Sequence, residues 1–338
     1  MDPASIAAKV SPGLVDVNTV LGFQNTEAAG TGIVLTSSGE VLTNNHVVDG
    51  ATQIRVTDIG DGQTYRADVV GYDSSQDIAV LQLQGASGLA TATTGNSSQT
   101  AVGDQIVGIG NAGGVGGAPD VAPGTVTALD QSITATDQSG GSAEKLAGLI
   151  QVNANIQPGD SGGSLVNTAG QVIGVDTAAS ADQHQFSSLG SAGQGNLGQN
   201  APAQGFAIPI NQALSIAQQI VSSKSSATVH IGGTPMMGVS VAALSGQGAG
   251  AGIGGQGAAQ QVSGAIVAAV VPDGPAAQAG LSAGDVITSL GGQPVDSPTA
   301  LTNLMNQHHP GDKVQVSWLD QAQQQHTATV QLVTGPVG

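Results

Sequence analysis

Gly159-Asp160-Ser161-Gly162-Gly163, with His46 and Asp77 far upstream of it, decides how this chain is read. A serine attacks a carbonyl only when a base takes its proton and donors receive the oxyanion that forms. Glycines on both sides of Ser161 let the backbone turn tightly and bring N–H groups close to a substrate carbonyl. The amides of Gly159 and Ser161 are the oxyanion donors on this reading. Taken alone, the pentapeptide also reads as a turn with an incidental serine, because the chain holds 52 glycines.

The same five residues fit the G-x-S-x-G elbow of an α/β-hydrolase as well. An elbow is followed by a helix, whereas residues 164–176 read as strand, Thr168-Ala169-Gly170 turn, strand. An elbow fold also needs its histidine after the serine. The histidines there are poorly placed: His184 in a polar stretch, His230 at a linker, and His308, His309 and His326 in a second unit. Upstream the settings are better. His46 ends the apolar run Leu42-Thr43-Asn44-Asn45-His46-Val47-Val48, and Asp77 leads into the strand-like Ile78-Ala79-Val80-Leu81. Each alone has a plain alternative, an ordinary exposed histidine or a turn aspartate. Together they give the order His, Asp, Ser of the chymotrypsin-type double barrel.

Composition agrees. Among 338 residues only six are aromatic, so the core is built from Val, Ile, Leu and Ala, and short apolar runs alternate with Gly-rich turns. That pattern predicts a mostly β protein of two or three domains. The net charge of -17, with six Lys plus Arg, offers no basic cluster for nucleic acid. No apolar run approaches the ~20 residues of a membrane span. Absent cysteines exclude disulfides, thiol catalysis and cysteine metal sites. Met1-Asp2-Pro3-Ala4-Ser5 lacks a signal-peptide pattern, which leaves a cytoplasmic protein or a mature exported one.

The first unit, residues 1–221, is read as a short helix from Ser5, the strands of the double barrel, and a helix with Asn211 as N-cap. Residues 181–203 read as a long surface loop and 222–235 as a linker. The second unit, 236–335, combines strands with helices at Pro275–Ala279 and Pro298 to about Gln307, the latter with Ser297 as N-cap. Residues 245–261 are low in complexity and read as an insertion. His308-His309 at a helix end lacks the ligand cluster a metal needs, so no metal and no cofactor is expected.

Thr43-Asn44-Asn45-His46-Val47, Asp77-Ile78-Ala79-Val80, Gly159-Asp160-Ser161-Gly162-Gly163 and Gln204-Gly205-Phe206-Ala207-Ile208-Pro209 resemble the HtrA/DegP family of serine proteases. The resemblance spans nearly the whole chain. It implies a chymotrypsin-like double β-barrel followed by an α+β PDZ domain, and a serine endopeptidase that cuts unfolded or exposed polypeptide. Ser161 would be nucleophile, His46 general base and then acid, and Asp77 its orienting partner. Val175, Asp176 and Thr177 correspond to the strand that pairs with the substrate backbone. Asn155 falls where trypsin carries its specificity charge. It is not acidic, so small or medium apolar residues are expected before the scissile bond. Most members of the family have Asn at Asp160. In trypsin-like zymogens the corresponding Asp pairs with a new N-terminus, but this chain has no activation site, so backbone amides are expected to hold Asp160.

In the second unit, Met237, Gly238 and Val239 would supply amides to a peptide C-terminal carboxylate, with the peptide added as an edge strand. Expected partners are protein and peptide substrates and C-terminal tails, with neither nucleic acid nor a membrane span. Family trimers use N-terminal aromatics, of which only Phe23 is available, so monomer and homotrimer both remain open. The resemblance places the protein in the cell envelope or outside the cell. The competing reading is a chaperone or peptide-binding protein with a resting protease domain.

Overall fold

In the computed structural model, the alternating apolar runs of the first 232 residues become two six-stranded antiparallel barrels. The structure describes residues 2–21, 26–111, 114, 116–136, 143–177, 204–226, 228–242 and 263–335. Phe23, His184, the expected surface loop 181–203 and the expected insertion 245–261 lie outside them.

A short helix α1 (Pro3–Val10), capped by Asp2, precedes the first barrel. That barrel is formed by β1 (Leu14–Leu21), β2 (Thr26–Val34), β3 (Glu40–Thr43), β4 (Gln53–Asp58), β5 (Thr64–Asp73) and β6 (Ile78–Leu83). The ring runs β1-β2-β3-β6-β5-β4 and closes back on β1. The one-turn helix α2 (Asn45–Val48) follows β3. Strand periodicity sends Val15 and Val17 to the barrel interior with Val34, Val41, Val56 and Leu81.

The second barrel uses β7 (Gln105–Gly110), β8 (Asp120–Thr136), β9 (Ala143–Val152), β10 (Ser164–Asn167), β11 (Val172–Thr177) and β12 (Gly205–Pro209), ringed β10-β11-β12-β9-β8-β7. Its interior holds Ile106, Val126, Ile150, Val152 and Leu165. A third cluster joins the two barrels, with Leu14, Ile33, Leu42 and Ile78 meeting Val107, Ile109, Val175 and Ile208. Each such fully buried aliphatic side chain contributes about 1.5–3 kcal/mol. The candidate site sits on this seam. Ser161 is followed within three residues by β10, a strand, so the elbow-and-helix alternative does not hold.

Helix α3 (Ile210–Val221) packs Ile210, Ala213, Ile216, Ala217 and Ile220 onto the same seam. The expectation of Asn211 as its N-cap fails. Pro209 occupies the cap without a side-chain bond, and the Asn211 amide instead donates to Asn96 Oδ1 at 2.7 Å. A nearby polar partner outcompeted the local cap. The linker expected over 222–235 is also interrupted. β13 (Val229–Ile231) pairs with β5, burying His230 with its ring stacked 5.1 Å from Tyr72. The division between the units therefore falls at Gly232/Gly233.

The second unit contains β14 (Pro235–Met236), β15 (Val239–Ala242), β16 (Ala265–Val270), α4 (Pro275–Ala279), β17 (Val286–Leu290), β18 (Gln293–Pro294), α5 (Pro298–Met305), β19 (Lys313–Leu319), β20 (Gln325–Gln331) and β21 (Val333–Thr334). The main sheet runs β15-β16-β17-β19-β20, and β14 pairs with β21. Ser297 Oγ accepts from Ala300 N–H at 3.1 Å and caps α5. A separate core of Val267, Ile287, Leu290, Leu301, Val316 and Trp318 fills this unit.

Candidate active site

β3 ends at Thr43, and the chain turns at once into α2, which carries His46. Asp77 closes a 3-10 turn (Ser74–Gln76) in a left-handed conformation with φ 53°. That backbone is unfavourable for a residue with a Cβ, though least so for Asn and Asp. It turns the Asp77 carboxylate onto His46. His46 Nδ1 lies 2.9 Å from Oδ2 and 3.0 Å from Oδ1, and the His46 backbone N–H donates to Oδ1 at 3.0 Å. Thr177 Oγ1 donates to Oδ2 at 3.4 Å, and the Asn44 amide donates to the Asp77 carbonyl at 2.9 Å. The Asp77 side chain is 2 % exposed and that of His46 41 %, so the acid is shielded while the imidazole faces the cleft.

Ser161 rides on a tight turn. Asp160 N–H donates to Gln157 O at 2.9 Å, and Gly163 N–H to Asp160 O at 2.8 Å. Two bonds latch the turn to β11: Gly162 N–H to Asp176 O and Asp176 N–H to Gly163 O, both 2.9 Å. Thr31 on β2 holds the other side. Its N–H donates to Ser161 O and its Oγ1 to Gly159 O, both at 2.8 Å, while Oγ1 accepts from Asn111 N–H at 2.8 Å. Gly162 has φ 83° and lies against Thr31 O and Thr43 Oγ1, so a Cβ there would collide with both. Gly159 has φ 100°, and its N–H donates to no described group. Thr31 carries no signal in the sequence, and neither the Thr43 bond to Thr31 nor the Thr177 bond to Asp77 is foreseeable there. A threonine signals its partners only once the strands are paired.

Two further carboxyls lie behind this turn. Asp160 is 4 % exposed; Oδ2 accepts from Gln157 N–H at 2.8 Å, as expected of a backbone-held side chain, while Oδ1 is buried without a partner. Burial raises its pKa to about 6, the Gln157 amide opposing and Asp120 adding to the rise. Asp176 is fully buried, and neither of its oxygens receives a hydrogen bond of normal geometry. Burial first, and the Asp160 charge second, push it well above the ordinary carboxylate range; the nearby Ile109 N–H only weakly opposes this. Gly108 and Gly110, alternate residues on one face of β7, leave the room these side chains occupy. A Cβ at Gly108 would sit 3.3 Å from Asp176 Oδ2, and one at Gly110 2.8 Å from Asp160 Oδ1.

The three residues expected to pair with substrate divide. Val175 opposes Ser164 on one side and Ile208 on the other, and Asp176 is bonded to Gly162 and Gly163 while opposing Ala207. Both edges of the strand are committed there, so neither residue has backbone to offer. Thr177 is opposed by Phe206 on one side, and among the described residues no strand pairs with it on the other. Asn155 is exposed; its neighbour Ile156 packs against Gly108 and Gly205, on the β7–β12 side of the turn.

In the second unit, Gly238 has φ 84°, and the carbonyls of Met237 and Gly238 accept from Ala276 and Val271 N–H, both at 2.9 Å. These bonds fix the loop ahead of β15. β15 is an edge strand, with Val239 and Val241 packed on the same core as Leu304 and Met305 of α5. His308 Nδ1 lies 3.6 Å from Asp312, and no group of three or more metal-ligating side chains occurs among the described residues.

Comparison with known proteins matches this architecture. A trypsin-like peptidase domain profile covers residues 30–175, and a PDZ domain profile covers 235–332. Serine protease PepD of Mycobacterium tuberculosis is 34 % identical over 98 % of this chain and 67 % of its own length. Periplasmic pH-dependent serine endoprotease DegQ of Escherichia coli is 34 % identical over 87 % of this chain. Periplasmic serine endoprotease DegP of the same organism is 36 % identical over 88 %. The chain spans 57 % of DegQ and 55 % of DegP, little more than half of each. The solved structure of the HtrA-type protease AlgW with a tripeptide superposes with a TM-score of 0.52 at 30 % identity, covering 100 % of this chain and 99 % of that one. The chain belongs to the HtrA-type serine proteases, a trypsin-like peptidase domain followed by a PDZ domain.

Proposed function

We propose that the protein is a serine endopeptidase in which Ser161, His46 and Asp77 form the catalytic triad. The observation that carries this reading is the Asp77 carboxylate closed around His46 Nδ1 at 2.9 and 3.0 Å on the same seam as the Ser161 turn. A carboxylate on Nδ1 holds the imidazole with its other nitrogen as the acceptor, the form that takes a proton from a serine. Ser161 Oγ adds to the scissile carbonyl and His46 takes its proton. The amides of Gly159 and Ser161 receive the oxyanion. His46 then returns the proton to the leaving amine, and water hydrolyses the acyl-enzyme by the reverse sequence. Substrate backbone on the acyl side pairs with the edge that opens at Thr177. Ile156, rather than Asn155, faces the residue before the scissile bond, which favours small or medium apolar side chains there.

The PDZ domain captures peptide tails. Amides of Met237, Gly238 and Val239 receive the terminal carboxylate, and the tail extends β15 by strand addition. Peptide complexes of AlgW support a peptide-handling role. The periplasmic relatives DegQ and DegP support a site of action outside the cytoplasm. Treatment with a fluorophosphonate, followed by peptide mapping, tests the catalytic reading. A single adduct on Ser161, lost in Ser161→Ala, is expected. An unlabelled Ser161 in the presence of unfolded substrate overturns it in favour of a peptide-binding protein.

A further inference from the structure

The chain has six basic residues, and two of them, Arg55 and Arg66, stand directly opposite each other on β4 and β5. Directly opposed side chains on adjacent strands have Cβ atoms about 5 Å apart, and like charges in that position destabilise a sheet. Both arginines are exposed, and among the described residues neither forms a hydrogen bond or an ion pair. The nearest carboxylate on that face of β5, Asp68, already accepts from the Gln84 amide at 2.8 Å. A repulsive pair without a counter-charge, in a chain of net charge -17, suits a ligand that brings the negative charge with it.

Arg55 also lies in a groove. This cleft, of about 830 Å³, crosses the outer face of the first barrel over Asn18, Arg55 and Thr57 and ends at Pro158 and Gly159, the oxyanion turn. Glu27 of β2 also lines it. No residue of β11 lines it. Acyl-side substrate leaves the site along the edge at Thr177, so a chain running straight through the site continues into this groove on the leaving-group side. The oxyanion turn abuts β2, where Thr31 bonds Gly159, and Arg55 is two strands further on, since Asn18 of β1 opposes both Ala29 of β2 and Arg55 of β4. Two strand spacings are about 10 Å, or roughly three residues of extended chain.

We propose that Arg55, with Arg66 behind it, forms a leaving-group-side subsite for an acidic residue, or the substrate's own C-terminal carboxylate, two to four residues after the scissile bond. Over the rest of this acidic surface such a residue is repelled, so the arginine pair selects both position and charge. The inference rests on the proposed peptidase reading and adds a substrate class to it.

The test uses the full chain and a peptide library randomised on both sides of the cut, with products read by mass spectrometry. Asp and Glu should be enriched at the second to fourth leaving-group positions. With a matched peptide pair, Glu or Gln at the best of these positions, the ratio of kcat/KM should favour Glu about 5–10-fold at low ionic strength and fall towards unity in 0.5 M salt. Arg55→Gln should remove the ratio, and Arg55→Glu should invert it towards Lys. Ser161-dependent cleavage with a flat charge profile, or a ratio unchanged by Arg55→Gln, overturns the subsite and leaves the peptidase reading intact. Absence of any Ser161-dependent cleavage overturns both.

Discussion

Asp77 on the first barrel and Asp160 with Asp176 on the second are all nearly buried, within one site, and yet they are treated in opposite ways. Asp77 is surrounded by donors: the His46 ring and N–H and the Thr177 hydroxyl all reach its oxygens. Asp160 has one amide for two oxygens, and Asp176 has none of normal geometry. The difference is one of purpose. A carboxylate that orients an imidazole must itself be held by donors. Two carboxyls packed against Gly108 and Gly110, buried with few donors, are held nearer neutrality. Donors converge on the carboxyl facing His46, while burial raises the pKa of the two carboxyls behind the serine turn.

The largest expected effect tests the donor-rich side of this contrast. Asp77→Asn keeps the shape but supplies an amide where an acceptor is needed, so the imidazole loses its orientation and its counter-charge. kcat should fall by about 10⁴-fold with folding preserved; steady-state kinetics on a quenched peptide, with circular dichroism as control, measures it. A fall of less than tenfold would break the contrast.

Gly162→Ala comes next. The new Cβ collides with Thr31 O and Thr43 Oγ1 at a φ of 83°, so both backbone strain and overlap apply. Stability should drop by about 3–4 kcal/mol, or the turn should deform so that Ser161 no longer labels. Chemical denaturation together with fluorophosphonate labelling reads both outcomes.

Asp160→Asn tests the donor-poor side. Its folded pKa is raised to about 6 from an ordinary 3.8, so the folded state holds the proton that the unfolded chain releases. Stability is therefore undiminished below about pH 4, falls as pH rises towards about 6, and stays lower above that. Removing the charge should raise stability at pH 8 by roughly 2 kcal/mol and flatten the pH dependence between 4 and 7. Denaturant midpoints across that range would show it, and an unchanged slope would contradict the assigned environment. Thr177→Val should have the smallest effect. It removes one long hydrogen bond to Asp77, and kcat should fall about 3–10-fold, which is of order 1 kcal/mol.

Much of this was legible before any strand was paired. The short β runs, the order of His46, Asp77 and Ser161, and the strand after Ser161 were read from local pattern, since hydrophobic period and glycine spacing act within a few residues. The α5 cap at Ser297 was read for the same reason. Asn211 was misread because its side chain had a partner from Asn96, 115 positions away, that local pattern cannot show. Residues 229–231 were read as linker because strand pairing to β5 leaves no mark in so short a segment. Val175, Asp176 and Thr177 read alike in the sequence as the substrate-pairing strand, whereas register with β10 and β12 and the bonds to Gly162 and Gly163 occupy the edges of the first two.

The sequence by itself determined which residues carry reactive groups, their order, and the two-unit plan, because these depend on residue type and short-range spacing. Only the tertiary structure decided which carboxylate meets donors, which strand edge remains open, and that Arg55 and Arg66 face each other. Those are matters of register between distant strands, and a shift of one residue would turn each of these side chains to the other face of its sheet.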